Sequence, residues 1–508
     1  MRLIVTGILM VILAVMVPPA SSQVDFLFRH GFAAGDVTPA SAVLWTRRPP
    51  PLEVTAQVSS DPQFRSLVFS AEAAPSAERG GFLKFTATGL RPATRYYYRF
   101  QVAGSVSSET GTFVTAPAPE SRADVRLAFS GDIDSTNWSK GSPYSFGLLE
   151  TLAAEPLDLF LLIGDTIYAD SGLASQPART LAEYRAKHLE ARGLPSLQRL
   201  MRRTPLIVIW DDHEVQNDFD RETVDPARFA AGHQAFLEAW PIAQQPDGRL
   251  YRTLRYGREV EIFVLDLRSY RTRQVNKTPA CMNPPGSRRP DLAPTLPQSL
   301  RSFFAVVTSS LAQPASAACL RALADPGRTM LGAVQKTWLK ERLQRSDATW
   351  KVIVSEVPVQ EFFAFPYDRW EGYAAERAEL LRFIRGAGIT NVVWLSADMH
   401  AVLVNDVRLS TFPAPDPTGM KEVVAGPIAT APFGRELDLF FGSGLAPAFG
   451  AFLTSPLPQG VGAACAVLDR PTYALLEVSS ASGTLTITAK DTAARPVCRT
   501  PLTLRAGR

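Results

Sequence analysis

The sequence has no long run of charge of one sign, and charged residues are few overall. Lysine and arginine number 53 and aspartate and glutamate 49 among 508 residues, a net charge of +4. This near balance excludes a dedicated nucleic-acid-binding surface, so a nucleic acid could only be a substrate. Histidine is scarce, at five residues, and a histidine inside a motif is therefore informative. We find no internal repeat and no low-complexity segment.

Long apolar runs are also absent after the N-terminus. There, Arg2 precedes the run Leu3 to Val17, which ends at a proline pair followed by small residues. This pattern predicts a secretory signal peptide over residues 1–22 and a secreted or periplasmic protein. Because the run is shorter than the ~20 residues that span a bilayer, we expect no stable membrane anchor. The remaining chain is too long for one core and predicts two or three domains.

Cysteine is rare too. None of Cys281, Cys319, Cys465 and Cys498 has the close pairwise spacing of a zinc site. An exported chain meets an oxidising compartment, so we expect two disulfides. Of the three connectivities, we favour the neighbouring pairs Cys281–Cys319 and Cys465–Cys498.

The first region after the signal peptide is rich in β patterns. Short alternating runs, such as Ala42 to Trp45 and Tyr96 to Val102, predict a small all-β sandwich over residues 23–118. The segment Leu90-Arg-Pro-Ala-Thr-Arg-Tyr96 resembles the corner of fibronectin type III-like modules, where a tyrosine hydroxyl ties a strand to the preceding loop. A linker rich in alanine and proline then leads to a second domain, residues 123–508.

In this second domain, acidic residues follow apolar runs that read as strands buried on both faces. The runs, each with the acid that follows it, are Val125–Phe129 with Asp132, Leu159–Ile163 with Asp165, Leu206–Trp210 with Asp211 and Asp212, Ile262–Leu265 with Asp266, and Val392–Leu395 with Asp398. Ligands of α/β sheets bind beyond the carboxyl ends of the strands. We therefore expect these acids to converge.

Amphipathic segments separate the strands. Leu181 to Arg192, Val334 to Gln344 and Ala374 to Ala387 predict helices that cover the sheet, and Tyr473 to Asp491 predicts a closing hairpin that adds strands to it. The fold class is therefore α/β.

Converging carboxylates need compensating charge, because a buried carboxylate is costly without it. Arginine and lysine could not reach Asp132, Asp165, Asp212 and Asp398 together, whereas two metal ions sharing a bridging carboxylate could. Oxygen ligands favour calcium, magnesium, manganese or ferric iron.

Some motifs are more specific than others. Asp211-Asp212-His213-Glu214 after a buried strand is hard to explain by packing, and Asp398-x-His400 places two side chains on one side of an extended chain. Tyr168 stays open between phenolate ligation of a trivalent ion and ordinary packing. A guanidinium fork suits phosphate. We assign Arg268 to catalysis and Arg271 to substrate binding, with surface salt bridges as the alternative for both.

The order of the motifs resembles that of the PhoD-like alkaline phosphatases and phosphodiesterases of the metallophosphoesterase superfamily. The segments that carry this resemblance are Asp165-Thr-Ile-Tyr168-Ala-Asp170, Trp210-Asp-Asp-His-Glu-Val-Gln-Asn217-Asp218, Leu265-Asp-Leu-Arg-Ser-Tyr-Arg271, Arg328-Thr-Met-Leu-Gly332 and Ser396-Ala-Asp-Met-His400. The resemblance covers roughly residues 26 to 430. It implies a four-layer αββα core, hydrolysis of phosphate mono- or diesters, and iron and calcium as metals.

The resemblance also implies individual roles. Asp165 would bridge the metals, Tyr168 would bind iron, Asp212 and Asn217 would be further ligands, Asp398 and His400 would complete the site, and His213 would contact the phosphate. Where the family often has Ser-Cys, this chain has Ser130-Gly131-Asp132. Asp132 is then expected to replace a thiolate ligand, which leaves manganese and magnesium as alternatives.

The expected mechanism is attack in line by a metal-bound hydroxide, with His213 steadying charge or protonating the leaving oxygen. We expect a monomer that acts on a small phosphate ester. Purple-acid-phosphatase-like or nuclease activity on the same core is the first alternative, and a secreted non-catalytic binding protein with structural metals is the second.

Overall fold

A computed structural model of the chain describes residues 27–102, 106–135, 146–171, 176–284, 286–306, 308–441 and 444–507. The predicted signal peptide lies outside these residues. Of the helices in the described ranges, none is long and apolar enough to cross a membrane.

The described strands number 21. They are β1 (Phe32–Gly35), β2 (Ser41–Arg47), β3 (Val54–Ser59), β4 (Leu67–Ala73), β5 (Phe82–Thr88), β6 (Arg95–Val102), β7 (Val106–Ser107), β8 (Gly111–Val114), β9 (Val125–Ser130), β10 (Leu159–Ile163), β11 (Leu206–Ile209), β12 (Arg252–Tyr256), β13 (Val260–Val264), β14 (Trp350–Val354), β15 (Val392–Ser396), β16 (Val402–Ser410), β17 (Asp416–Val424), β18 (Cys465–Val467), β19 (Thr472–Ser479), β20 (Thr484–Asp491) and β21 (Leu502–Arg505).

The described α-helices lie mainly between strands of the second domain. They are α1 (Gly147–Ala154), α2 (Leu181–Arg192), α3 (Pro195–Arg203), α4 (Pro226–Ala239), α5 (Gln298–Phe304), α6 (Ala317–Leu323), α7 (Gly332–Arg345), α8 (Ala374–Gly386), α9 (Phe433–Phe441) and α10 (Leu445–Thr454). Helix α2 has the predicted bounds because Thr180 and Glu183 form a capping box at its start.

The strands form three sheets. Sheet I has the order β21-β20-β19-β9-β10-β11-β1-β2-β5, and sheet II has the order β12-β13-β14-β15-β17-β16-β18. Sheet III contains β4-β3-β6-β7, with β8 paired to β6. Strands β9, β10 and β11 run parallel in sheet I, as do β13, β14 and β15 in sheet II. Their carboxyl ends therefore meet at common edges.

Sheets I and II share an apolar core, and helices cover their outer faces. On β13, Ile262 points into the core between the sheets, whereas its neighbour Phe263 packs with Leu339 of α7 and Leu380 of α8. Leu149 of α1 belongs to the core on the side of sheet I. The alternation follows from the period of two along a strand. The predicted helix–sheet–sheet–helix fold is confirmed.

The N-terminal region is all-β, and its strands are divided between two sheets. Strands β1, β2 and β5 extend sheet I, where Gly35 pairs in parallel with Leu206 of β11. They pack against sheet III through a separate apolar core. The predicted tyrosine corner is confirmed, because the Arg91 N–H donates to the Tyr96 hydroxyl at 2.9 Å. One edge of sheet I is therefore built by the N-terminal region.

Covalent and C-terminal features also match the sequence predictions. The disulfides are Cys281–Cys319 and Cys465–Cys498. The closing hairpin is β19 and β20, and β19 pairs antiparallel with β9. This hairpin thus supports the strand that leads to Asp132.

Candidate metal centre

The candidate ligands leave their strands in an uncommon backbone conformation. Asp132, Asp165, Asp398 and His400 have φ values of 65°, 47°, 63° and 48°. The left-handed region is sparsely populated by residues other than glycine, and such residues cluster at functional sites. Each chain segment therefore turns sharply at the sheet edge. The Ile133 N–H donates to the Asp165 carbonyl at 2.7 Å and so joins two of these turns.

Two glycines make room for the Asp132 carboxylate. A Cβ added to Gly131 would collide with the Ile163 carbonyl oxygen, and one added to Gly426 would collide with Asp132 Oδ2. A side chain at position 131 is thus excluded by the neighbouring strand. The ligand that this loop can offer is Asp132.

Three groups of side chains could each hold a metal ion, with ligand atoms within 4.8 Å of one another. They are Asp132, Asp165 and His400; Asp165, Asp212 and His213; and Asp212, Asp218 and Asp368. Asp165 belongs to the first two groups. A carboxylate shared in this way is suited to bridging a metal pair. His213, for which the family resemblance implies a phosphate contact, is close enough to be a ligand.

The acids of the first group have no lysine or arginine partner within the described residues. Asp132 is buried, and neither of its carboxylate oxygens has a hydrogen-bond partner within the described residues. Burial raises the pKa of Asp132 to about 7 despite the opposing effect of His400, and burial raises the pKa of Asp165 well above its usual value. Buried carboxylates in this state favour either protonation or a bound cation. The donor set therefore fits metal ions.

Tyr168 and His213 form one wall of the site. Their rings stack with centroids 4.1 Å apart. His213 Nδ1 lies 2.7 Å from Asp170 Oδ1, which fixes the imidazole orientation. Burial opposes protonation, but Asp165 and the neighbouring aspartates raise the pKa of His213 well above its usual value. The Tyr168 hydroxyl lies 3.1 Å from His400 Nε2, within reach of the first group.

His400 is oriented through its other ring nitrogen. Nδ1 lies 2.9 Å from the Ala431 carbonyl oxygen and 3.1 Å from Glu436 Oε1. Because both neighbours are acceptors, Nδ1 carries a proton and donates. Nε2 then faces the site, 3.9 Å from Asp132 Oδ1. Partners of this kind hold metal-binding histidines in the correct orientation.

Arg268 is completely buried among carboxylates. Its guanidinium contacts Asp211 through Nε, lies 2.8 Å from Asp368 through Nη1, and lies 3.4 Å from Asp398 Oδ1 through Nη2. To bind a phosphate, this group would have to exchange one of these partners. Its predicted catalytic role stays a prediction.

Arg271 is equally enclosed. Nη1 lies 2.6 Å from Asp368 Oδ1, and Nε donates to the Phe219 carbonyl at 2.8 Å. Although burial favours the neutral acid, Arg268 and Arg271 hold the pKa of Asp368 well below its usual range. These arginines thus neutralise the acids on one side of the centre, and the predicted substrate contact of Arg271 stays a prediction.

Comparisons with known proteins agree with this geometry. The sequence profile described as PhoD-like phosphatase matches residues 129–451, and the profile of that family's N-terminal domain matches residues 15–117. The chain belongs to the PhoD-like phosphatase family. It is 28% identical over 435 residues to alkaline phosphatase D of Bacillus subtilis (strain 168), covering 76% of this chain and 66% of that relative, slightly under two thirds of its length.

Solved structures show the same fold as this PhoD-like chain. A structure of PhoD matches with a TM-score of 0.73 at 24% identity, covering 95% of this chain and 91% of the other. The purple acid phosphatase PPD1 of yellow lupin (Lupinus luteus) matches with a TM-score of 0.55 at 12% identity, over 94% and 73%. At these identities the likeness concerns the fold.

Three residues predicted as ligands, Tyr168, Asp398 and Asn217, lie outside the three groups, and the ligand role of Tyr168 stays a prediction. Asp398 is directed to Arg268, and Asn217 is exposed, with its N–H donating to Asp170 Oδ2 at 2.7 Å. Asp266, at another strand end, accepts from Trp210 Nε1 at 2.9 Å and thus ties two loops together. The ligand roles of Asp398 and Asn217 stay predictions.

Sequence reasoning missed Asp218, Asp368 and Glu436. Asp218 ends the family motif that begins at Trp210, so its position was available as a signal. Asp368 ends a short turn in the loop between β14 and α8, and Glu436 lies in the first turn of α9. Glu436 follows no apolar run, and the apolar segment 362–367 before Asp368 contains a proline, so neither position had the pattern of a buried strand end.

Proposed function

We propose that this chain is an exported, metal-dependent phosphoesterase that hydrolyses phosphate mono- or diesters. The observation that carries the proposal is the position of Asp165 in two adjacent groups of candidate ligands. Bound metals would polarise a phosphoryl oxygen and lower the pKa of a water molecule. The names of the relatives, a phosphatase and an alkaline phosphatase, support the same reaction class.

The surrounding charge explains why metals would be needed to hold the substrate. The aspartates of the three groups repel a phosphate, and the guanidinium groups of Arg268 and Arg271 are already bonded to the protein. His213 is partly exposed, with 20% of its side chain accessible, and its Nδ1 lies 2.7 Å from Asp170 Oδ1, so Nε2 is the ring nitrogen that could donate to a leaving oxygen. We therefore assign to it the protonation of the leaving oxygen.

The donor atoms guide the choice of metals. Carboxylate oxygens suit hard cations, and the Tyr168 phenol, 3.1 Å from His400 Nε2, could serve a trivalent ion. We therefore propose iron together with calcium, with manganese or magnesium as alternatives. Because Asp132 stands in place of a thiolate, the first group has harder donor atoms.

Tyr168 also favours a second candidate, an activity like that of purple acid phosphatases. A phenolate bound to ferric iron would colour the protein. An absorption band in the visible range that disappears in Tyr168→Phe would show a phenolate–iron bond, which both candidates allow, so the preference between mono- and diesters then separates them. Colourless active protein would exclude this second candidate.

Location and partners complete the proposal. The two disulfides are consistent with an oxidising compartment, and with the predicted signal peptide they support a secreted or periplasmic enzyme. We propose that it acts as a monomer on small esters.

The test combines metal analysis with activity. Protein purified without chelator should contain about two metal ions per chain and should hydrolyse 4-nitrophenyl phosphate or bis(4-nitrophenyl) phosphate. Asp212→Asn should lose both properties, while Asp220→Asn, at a buried aspartate bonded to Lys277 and Thr223, should keep them. Full turnover by metal-free protein would overturn the proposal.

A further inference from the structure

Two loops of the metal centre carry candidate ligands of the second group. Asp165 belongs to the β10 loop, residues 164–170, and Asp212 belongs to the β11 loop, residues 210–214. The backbone bonds between the two strands end with the one that the Gly164 N–H donates, and both aspartates lie beyond it. The separation of their carboxylates therefore depends on contacts between the loops.

Glu214 lies between these loops and bonds to both. Its Oε1 accepts from the Thr166 N–H at 2.6 Å and from the Thr166 hydroxyl at 2.7 Å, and its Oε2 accepts from the Asp211 N–H at 2.9 Å. Thr166 directly follows Asp165 in the chain. Asp211 directly precedes Asp212. Each oxygen of one carboxylate thus holds the backbone next to one candidate ligand.

The Glu214 carboxylate is fully buried, and hydrogen bonds alone compensate it. Its exposed fraction is 0%, and within the described residues it forms no ion pair with a lysine or arginine. A buried carboxylate is costly unless donors satisfy its oxygens. Two of its donors belong to the β10 loop and one to the β11 loop. The acid is fully bonded only while both loops keep their places, and it holds them there in turn.

Two further bonds between the loops act differently. Asp165 Oδ1 accepts from the His213 N–H at 3.2 Å, and the Ala169 N–H donates to the His213 carbonyl at 2.9 Å. The first bond uses a carboxylate that would also bind metal. The second lies four residues beyond Asp165. Glu214 joins the loops next to both ligands without using a ligand atom.

We infer that Glu214 is a positioning residue of the metal centre, which sets the separation of the Asp165 and Asp212 carboxylates. The inference rests on the proposed function and deepens it, because it requires metal ions to bind at these carboxylates. Loss of the Glu214 carboxylate should therefore weaken metal binding by the folded protein, in addition to any loss of stability. A glutamate with a purely structural role would affect the free energy of unfolding alone.

Glu376 offers a matched control. It is also buried, and it accepts from the Thr329 hydroxyl at 2.6 Å and from two successive backbone N–H groups of the loop before α7. These donors are the same in kind and number as those of Glu214, although Lys336 Nζ also lies 3.3 Å from the Glu376 carboxylate. None of the residues that Glu376 holds belongs to the three groups of candidate ligands.

The experiment compares Glu214→Gln with Glu376→Gln. In each variant an amide group, which cannot accept a hydrogen bond, replaces one carboxylate oxygen. Protein loaded with Mn²⁺ is titrated with a chelator, and chemical denaturation measures the free energy of unfolding. Both variants should lose stability. The Mn²⁺ dissociation constant should rise roughly 10- to 100-fold in Glu214→Gln, as for loss of a contact that supports metal ligands, and should keep its wild-type value in Glu376→Gln.

A second pair of variants keeps the test decisive if Glu214→Gln does not fold. Thr166→Val removes one donor to Glu214 and nearly preserves the size of the buried side chain. Thr329→Val does the same to Glu376. The first variant should raise the Mn²⁺ dissociation constant roughly tenfold, the lower end of the range, because the two backbone bonds remain. The second should leave the constant unchanged.

The outcomes separate this inference from the proposed function. Wild-type affinity for Mn²⁺ in folded Glu214→Gln, or in Thr166→Val, overturns the positioning role and leaves the proposed function intact. Equal loss of affinity in Glu214→Gln and Glu376→Gln also overturns it, because the effect would then follow from lost stability. If the wild-type protein binds no Mn²⁺, the inference fails, and if it also hydrolyses no phosphate ester, the proposed function fails with it.

Discussion

Asp36 and Asp165 are buried aspartates that follow strands of sheet I, but they have opposite surroundings. Each is a buried aspartate directly after or close to the end of a strand, β1 or β10, with φ of 42° and 47°. Asp36 lies 2.8 Å from Arg252, an ion pair of two nearly inaccessible side chains. Within the described residues, Asp165 forms no ion pair with a lysine or arginine. Asp132, which follows the neighbouring strand β9, forms none either.

This difference shows what distinguishes a structural acid from a candidate ligand. Both aspartates follow a strand and both are buried, so neither feature separates them. The presence of a guanidinium then decides whether the charge is satisfied by the protein. Acids that lack this partner are the ones that need an external cation.

The largest expected effect comes from changing these two aspartates in parallel. Asp165→Asn should lower kcat/KM by at least about 10³-fold, because both metals would lose a shared ligand. Metal content measured by elemental analysis should fall with it. Asp36→Asn should retain metal and activity per folded molecule and should lower only the free energy of unfolding. Equal metal loss in the two variants would contradict the distinction.

Arg268 allows a second test, because it lies on the side of the centre where arginines neutralise the carboxylates. Arg268→Met would leave Asp211 buried without its cation and Asp368 with Arg271 alone, and the free energy of unfolding should fall by about 3–5 kcal/mol. Chemical denaturation of the metal-loaded protein measures this effect, and Arg268→Lys should recover part of it. A fall in kcat with unchanged stability would instead support the predicted catalytic role.

The sequence was most informative where a short-range pattern coincides with a buried element. Strand β10 and helix α2 have their predicted bounds, the first because the apolar run is continuous and the second because a capping box marks its start. Strand β14, Trp350–Val354, was not predicted, because Lys351 interrupts its apolar run. Strands β1, β2 and β5 belong to sheet I through pairing between residues that are far apart in the sequence. No local sequence pattern predicts such pairing.

The same limit applies to the centre. The convergence of Asp132, Asp165, Asp212 and His400 followed from strand ends in a parallel sheet. The enclosure of Arg268 by Asp368 did not, because Asp368 is 100 residues away in an irregular loop. Arginine beside an acidic motif suits a phosphate and a buried carboxylate equally, so only the fold could distinguish the two surroundings.

Removing the metals should make the free energy of unfolding depend on pH, because the acids that lack a cation partner then titrate. In the folded state the pKa of Asp132 is raised to about 7 and that of Asp218 to about 8, both mainly by burial. The folded protein therefore binds more protons than the unfolded chain above about pH 4, and its stability falls as pH rises towards 8. Chelated protein should therefore lose unfolding free energy steadily between pH 5 and pH 8, as the two carboxyls ionise.

Melting temperatures of chelated and metal-loaded protein measure this dependence. The loaded protein should vary less over the same range, because bound cations stabilise the ionised carboxylates. A chelated protein that becomes more stable with rising pH would show that these acids find their countercharge within the chain.

The smallest expected effect concerns Glu436, which acts on a candidate ligand without belonging to one of the three groups. Its carboxylate shares the His400 Nδ1 proton with the Ala431 carbonyl oxygen, at 3.1 Å and 2.9 Å. Glu436→Ala should weaken metal affinity roughly 10-fold, the lower end for loss of such a partner, because the carbonyl still orients the ring. Competition with a chelator measures the dissociation constant.

Glu436→Gln keeps an oxygen acceptor and removes the charge, so the pair of variants separates two causes. If only the alanine variant loses affinity, orientation of His400 is responsible; if both lose it equally, the negative charge beside the imidazole is. Unchanged affinity in both would mean that the Ala431 carbonyl alone holds the ring.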